Sequence, residues 1–171
     1  MFGFDKNDLS KFIGKRFVFT YNSGWSYELY IKNTGRVDYR VHHGVIGDRW
    51  IKNQHVYMAL ISKDICKLSW TERTGTNVSI IINLVDHCYQ GTLFFPHWII
   101  KHPEKAAHAI NDTIPLIELY REAGPTYPIE IVDEFARITF IEDCGVDDET
   151  IIACPSSELS KEAREHLKLA M

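Results

Sequence analysis

An acid, a guanidinium group and several phenols stand in this chain where strand geometry turns them toward an interior. Glu72 lies in KLSWTERTGT (residues 67–76) with the parity of Leu68 and Trp70, and alternation with period two puts residues of one parity on one side of a sheet. A buried acid without a fixed partner tends to keep its proton, because low dielectric disfavours the charged form. Such a group can deliver that proton near neutral pH. Arg49 in GDRWIKN has the parity of Ile51 and is the candidate counter-charge. Parity leaves two readings equally open for the pair. One is a structural ion pair, in which desolvation offsets most of the attraction; the other is a reactive pair beside a cavity, where ionisable groups are more often functional. Phe19 and Tyr21 share a face of KRFVFTY, and Trp25, Tyr27, Leu29 and Ile31 share a face of WSYELYIKN. Taken singly, such rings are core fillers first; together they would wall one end of a pocket.

Other chemistries find little footing. The eight histidines form no HExxH or HxH motif, and His42 and His43, being adjacent, point to opposite faces of a strand. No metal site is expected. There is no glycine-rich phosphate loop and no GxSxG elbow. A net charge of −4 and the lack of a Lys/Arg cluster argue against nucleic acid and anionic membranes as partners. Cys66, Cys88, Cys144 and Cys154 are scattered, with no CxxC pair, which suits reduced thiols. The first residues, MFGFDKNDLSKF, do not read as a signal peptide, and no stretch is long enough to span a membrane. A cytoplasmic location is expected.

The elements that must position these groups are mostly strands. KRFVFTY, WSYELYIKN, RVDYRVHH, DRWIKNQHVYMALIS, ICKLSWTE, TNVSIIINL, YQGTLFFP and ARITFIED read as strands joined by short polar turns. Asn22-Ser23-Gly24 and Asn33-Thr34-Gly35 are turn sequences that make tight hairpins, so neighbouring strands should be antiparallel. TIPLIELYREAG has Leu116, Leu119 and Tyr120 at helical spacing before Gly124 and Pro125. The tail, residues 157–171, reads as a short charged helix that Ser157 or Ser160 could cap, with a surface brace as its plainest role. Seven or eight short strands in meander order predict one mainly β domain over residues 1–171, its sheet curled into a small antiparallel barrel with flanking helices. A barrel of about eight strands holds side chains or one small ligand.

The stretches TYNSGWSYELYIKN, VDYRVHHGVIGDRWIKNQ, KLSWTERTGTNVS, GTLFFPHWI, HPEK and DEFARITFIEDCG resemble, in order and spacing, the phenolic acid decarboxylase family of microbial ferulate and p-coumarate decarboxylases. The resemblance runs from about Phe12 to Cys154. It implies a flattened lipocalin-like β-barrel, usually a homodimer, that needs no cofactor. It also implies a reaction: para-hydroxycinnamates lose CO2 through a quinone methide to give 4-vinylphenols. On matching positions it puts the catalytic pair on Glu72 and Arg49, a tyrosine pair on Phe19 and Tyr21, and pocket positions on Trp25, Tyr27 and Tyr39. Glu134 matches an alternative proton carrier, with Ser23 as its helper. The chain departs from the family pattern at Phe19 in place of the first tyrosine, Ser23 in place of Asn, His43 in place of Ser, Arg73 in place of Pro and Asn77 in place of Asp. Phe19 matters most, because a substrate oxygen loses a donor there. A related barrel acting on another phenolic substrate, or binding one without turnover, is the alternative.

Overall fold

The computed structural model describes residues 3–106 and 113–169. Nine strands form one antiparallel sheet: β1 (Lys15–Tyr21), β2 (Ser26–Asn33), β3 (Arg36–His43), β4 (Trp50–His55), β5 (Tyr57–Ser62), β6 (Ile65–Thr71), β7 (Asn77–Asn83), β8 (Cys88–Phe95) and β9 (Glu130–Asp143). Their spatial order is β4-β3-β2-β1-β9-β8-β7-β6-β5. The two edge strands, β4 and β5, are thus chain neighbours joined by Val56 alone. Only a sheet that curls until its edges approach can satisfy that connection. The result is a strongly curled half-barrel, mainly β as the strand pattern predicts. Its edges do not pair with each other, but the Gln54 side chain on β4 donates to the Thr71 carbonyl on β6 at 3.2 Å.

The hairpins follow the turn chemistry. Gly24 takes φ +90, which costs a glycine little, and its N–H returns to the Tyr21 carbonyl at 2.9 Å. Asn33 accepts from the Gly35 N–H at 3.0 Å, an Asx turn between β2 and β3. The expected single strand over residues 48–62 is in fact two strands on opposite edges. Asn53 adopts φ 57, a left-handed conformation that Asn tolerates, and its N–H binds Asp38 at 2.6 Å. Val56 is buried and donates to the Gly35 carbonyl, so the ladder ends and the chain swings across. β9 begins six residues earlier than its alternation suggests. Its early outward positions, Ile131 and Phe135, are apolar and each 58% exposed, which masks the period.

Inward residues of alternate parity make the core: Phe17, Phe19, Leu29, Ile31, Leu68, Ile80, Ile82, Leu93 and Phe95 among them. At one end α1 (His97–Lys101), which sequence pattern did not suggest, buries Trp98 and Ile99. α2 (Ile114–Ala123) forms where expected but turns a different stripe inward. Ile117 is buried, with Ile114 and Tyr120 packed on the core, whereas Leu116 and Leu119 are exposed. Spacings of three residues offered both stripes, and the docking position selects between them.

The tail contributes more than a helix. A 3-10 turn at Ser156–Glu158 precedes α3 (Lys161–His166), which Ser160 caps by accepting from the Ala163 N–H. α3 is shorter than the predicted 157–171, of which residues 170 and 171 lie outside the described chain. Residues from Gly145 onward strap the outer face of β2 and β3. Tyr30 donates to the Gly145 carbonyl at 2.8 Å, Arg40 to that of Ile151, and His42 pairs with Ser156 at 2.8 Å. This cover is why Glu28, Lys32, Asp38 and Arg40, outward by parity, are buried.

Candidate active site

Arg49 and Glu72 stand one residue beyond strand ends, just before β4 and just after β6, and both keep the inward parity of the strand. Curling brings these ends together. Arg49, wholly buried, donates through Nη2 to Glu72 Oε2. Three further donors reach the Glu72 carboxylate: Tyr39 at 2.6 Å, the Trp70 indole at 3.3 Å and Thr74 at 3.2 Å. Glu72 is therefore paired with Arg49, the counter-charge the sequence offered, and is held by three more donors besides. Its neighbours, all donors, hold a carboxylate in a fixed orientation. Thr74 is fixed in turn, because the Trp98 indole donates to its carbonyl at 3.1 Å and it bonds Thr76 at 3.0 Å.

Arg49 is only partly satisfied. Its Nε and Nη1 are buried with no hydrogen-bond partner, and so is the Tyr27 hydroxyl. Three buried unpaired donors are costly unless something fills their need. Burial, the largest single influence, would lower the Arg49 pKa, but the Glu72 charge and hydrogen bond together with the Tyr39 and Tyr27 phenols outweigh it, and the net direction is up. Burial raises the phenols of Tyr27, Tyr39 and Tyr21 well above the usual range, so each stays a donor at working pH.

Glu72, Tyr39, Trp70, Tyr27 and Tyr21 line one cavity, together with Phe19, Leu29, Ile46, Thr76, Val78, Tyr89, Leu93 and Phe95; Arg49 stands behind Glu72, outside that lining. The cavity has two polar groups. Glu72, Tyr39 and Trp70 make one; Tyr21 and Tyr89 make the other, with Tyr27 in electrostatic reach of both. The rings of Phe19, Tyr21 and Tyr27 pack at centroid distances of 5.7–5.8 Å. Free space inside is about 30 Å³, room for water and too little for an aromatic acid; the roughly 430 Å³ hollow around it includes the open mouth. On the other side of Glu72 lies a larger cleft of about 680 Å³ along the unpaired seam, bordered by Arg36, Lys52, Gln54, Thr71 and Arg73.

The remaining candidates sit outside the cavity wall. Trp25 is half-buried, and its indole and the Tyr27 hydroxyl both lie beside Gly44, whose φ of 152 favours glycine. Ser23 is exposed, and its backbone N–H donates to Glu134 at 3.3 Å. Glu134, half-buried on β9 opposite Gly91, acts electrostatically on Tyr21 but is not part of the lining. Sequence reasoning missed Thr74, Thr76 and Tyr89. The threonines lie in a turn where parity is silent, but Tyr89 shares parity with Leu93 and Phe95 and was available to it. Among the described residues no group of three or more His, Cys, Asp or Glu is placed to hold a metal.

The C-terminal strap reaches this site through Asp48. The Ser157 N–H and hydroxyl each donate to the Asp48 carboxylate at 2.7 Å, next to Arg49. Asp48 holds φ 70, which Asn tolerates as well. Asp48→Asn keeps that backbone but removes an acceptor and the charge. It is expected to lower kcat/KM by roughly two- to tenfold, the worth of about one net hydrogen bond, with the melting temperature changed little. Steady-state kinetics and a thermal melt on the same preparation check this.

Residues 9–166 match the phenolic acid decarboxylase (PAD) family. A Vibrio cholerae protein named "Probable phenolic acid decarboxylase" is 47% identical over 159 residues, covering 93% of this chain and 91% of that protein. The Bacillus subtilis phenolic acid decarboxylase PadC is 42% identical over 145 residues, 85% of this chain and 90% of PadC. With a match across nearly its whole length and such relatives, this chain belongs to the phenolic acid decarboxylase family.

Proposed function

We propose that the chain is a carboxy-lyase that removes the carboxyl group of para-hydroxycinnamic acids such as p-coumarate and ferulate without a cofactor. The observation that carries this reading is the buried Arg49–Glu72 pair with three unpaired donors, its carboxylate lining an aromatic cavity that carries a second polar group. A para-hydroxycinnamate is a flat apolar body with an oxygen group at each end. Cavity and ligand match in that pattern.

Loss of CO2 from a vinylic carbon stalls unless the electrons left behind have a sink, and the substrate's own para oxygen can provide one. Removing the phenolic proton and adding one at the alkene carbon that bears the carboxylate gives a quinone methide. The C–CO2 bond then breaks, its electron pair restores the aromatic ring, and 4-vinylphenolate and CO2 result. The phenolate then takes up a proton to give 4-vinylphenol, so that one proton is consumed per turnover. In this reading Glu72 moves the proton, Arg49 binds the anionic oxygen beside it, and Tyr21 hydrogen-bonds the oxygen group at the far end. An anionic oxygen drawn to the free Arg49 N–H groups shares the cation with Glu72, and two anions beside one guanidinium favour a proton on one of them. Tyr27, Tyr39 and Phe19 wall the site and exclude water, with Trp25 packed behind Tyr27. Glu134 and Ser23 brace the Tyr21 end from outside. The near-closed cavity means that the rings part on binding.

The same reading makes the protein a single cytoplasmic domain acting as a homodimer. Four free thiols support a reducing compartment, Cys66 among them, its thiol pushed by burial up to about 11. Ile131 and Phe135, exposed on β9, and Ile81, exposed on β7, lie on one uncovered outer face, which supports pairing with a second copy. Among the described residues no helix is long and apolar enough to cross a membrane. Incubation with p-coumarate or ferulate tests the reading: the conjugated acid absorbance should fall as CO2 is released. A ligand bound but not consumed would point instead to a binding protein.

A further inference from the structure

Tyr89 is a cavity phenol that the family positions do not include. It comes from β8 with the inward parity of Leu93 and Phe95 and is 3% exposed. Its ring lies face to face with Phe19, centroids 3.9 Å and planes 15° apart. It meets Tyr21 edge-on at 5.8 Å, and the two phenols lie in electrostatic reach of each other. Room for the Tyr21 hydroxyl comes from Gly91, where a Cβ would overlap it. Burial keeps both phenols protonated, hence donors.

The family pattern places two phenols at positions 19 and 21, and this chain has a phenyl ring at the first. A phenyl ring can stack but cannot donate. The ring stacked on it carries a hydroxyl and already meets Tyr21 edge-on. We infer that Tyr89 supplies the second hydroxyl of the substrate-binding tyrosine pair, from β8 in place of β1, so that Tyr21 and Tyr89 together hold one oxygen group of the substrate. This assignment rests on the decarboxylase reading. Its consequence is that Phe19 is no lesion in the site: one hydroxyl has been moved from one ring of a stacked couple to the other.

The test is a double-mutant cycle with p-coumarate, measured on folded proteins matched by thermal melts. A donor to a charged oxygen lost in Tyr89→Phe should lower kcat/KM roughly ten- to hundredfold. Adding Phe19→Tyr returns a hydroxyl to the same stack, so the double variant should recover about tenfold or more. Phe19→Tyr should raise kcat/KM by a larger factor in the Tyr89→Phe background than in the native chain. A merely structural Tyr89 would not be rescued in this way. Binding of 3-(4-hydroxyphenyl)propanoate, which has no alkene to protonate, gives a second readout and should weaken about tenfold in Tyr89→Phe. If Tyr89→Phe binds and turns over like the native protein, or the double variant is as slow as the single, the assignment of Tyr89 is overturned while the decarboxylase reading stands. If the native protein neither consumes p-coumarate nor binds the analogue, the decarboxylase reading has failed and the assignment falls with it.

Discussion

Glu72→Gln is expected to lower kcat on p-coumarate by roughly 10²- to 10⁴-fold, the range for loss of a positioned acid or base, while leaving the sheet intact by circular dichroism. The amide oxygen can still accept from Tyr39 and Trp70, so the local geometry survives. The proton that the reaction must move does not. Arg49 is left buried without its counter-charge, and breaking one side of such a pair costs about 3–5 kcal/mol. Against a typical stability of about 5–15 kcal/mol the variant should remain folded at 25 °C, with a melting point lower by roughly 10 °C. Native-like turnover in this variant would remove Glu72 from the mechanism.

The second large effect separates stability from chemistry. Arg49→Met leaves the Glu72 carboxylate buried without a cation and should cost about 3–5 kcal/mol in denaturant unfolding. Combining it with Glu72→Gln removes both charges, keeps an acceptor for Tyr39 and Trp70, and turns an amide N–H toward the Thr74 hydroxyl, which can accept it. The double variant should therefore regain most of the loss, to within about 1–2 kcal/mol of the native protein, and still be inactive. Such an outcome means that the charged pair is kept for turnover, since an uncharged pair folds nearly as well. A double variant as unstable as the sum of its parts would instead make the pair a structural element, one of the two readings that parity left open.

Parity carried much of the site. It placed Phe19, Tyr21, Tyr27, Glu72 and Arg49 on inward faces, and the curl of the sheet brings all but Arg49 into the lining of one cavity, with Arg49 paired to Glu72 behind it. It could not show that Glu72 is held by four donors, because Thr74 sits in a turn and Tyr39 arrives from a strand that is distant in sequence. Nor could it divide residues 48–62. That break depends on Asn53 in a left-handed conformation and on the Gly35 carbonyl, a contact set by the β2–β3 hairpin. The tail was the least legible segment. Outward Glu28, Lys32, Asp38 and Arg40 look like solvated positions until the strap is in place, with Lys32 paired to Glu149 and Arg40 donating to the Ile151 carbonyl.

The most direct test compares p-coumarate with cinnamate, which is smaller, fits wherever p-coumarate fits, and lacks only the para oxygen. The account predicts that p-coumarate is converted to 4-vinylphenol and CO2 with uptake of one proton per turnover, and that cinnamate is left untouched. Equal decarboxylation of both acids, or none of either, would contradict it.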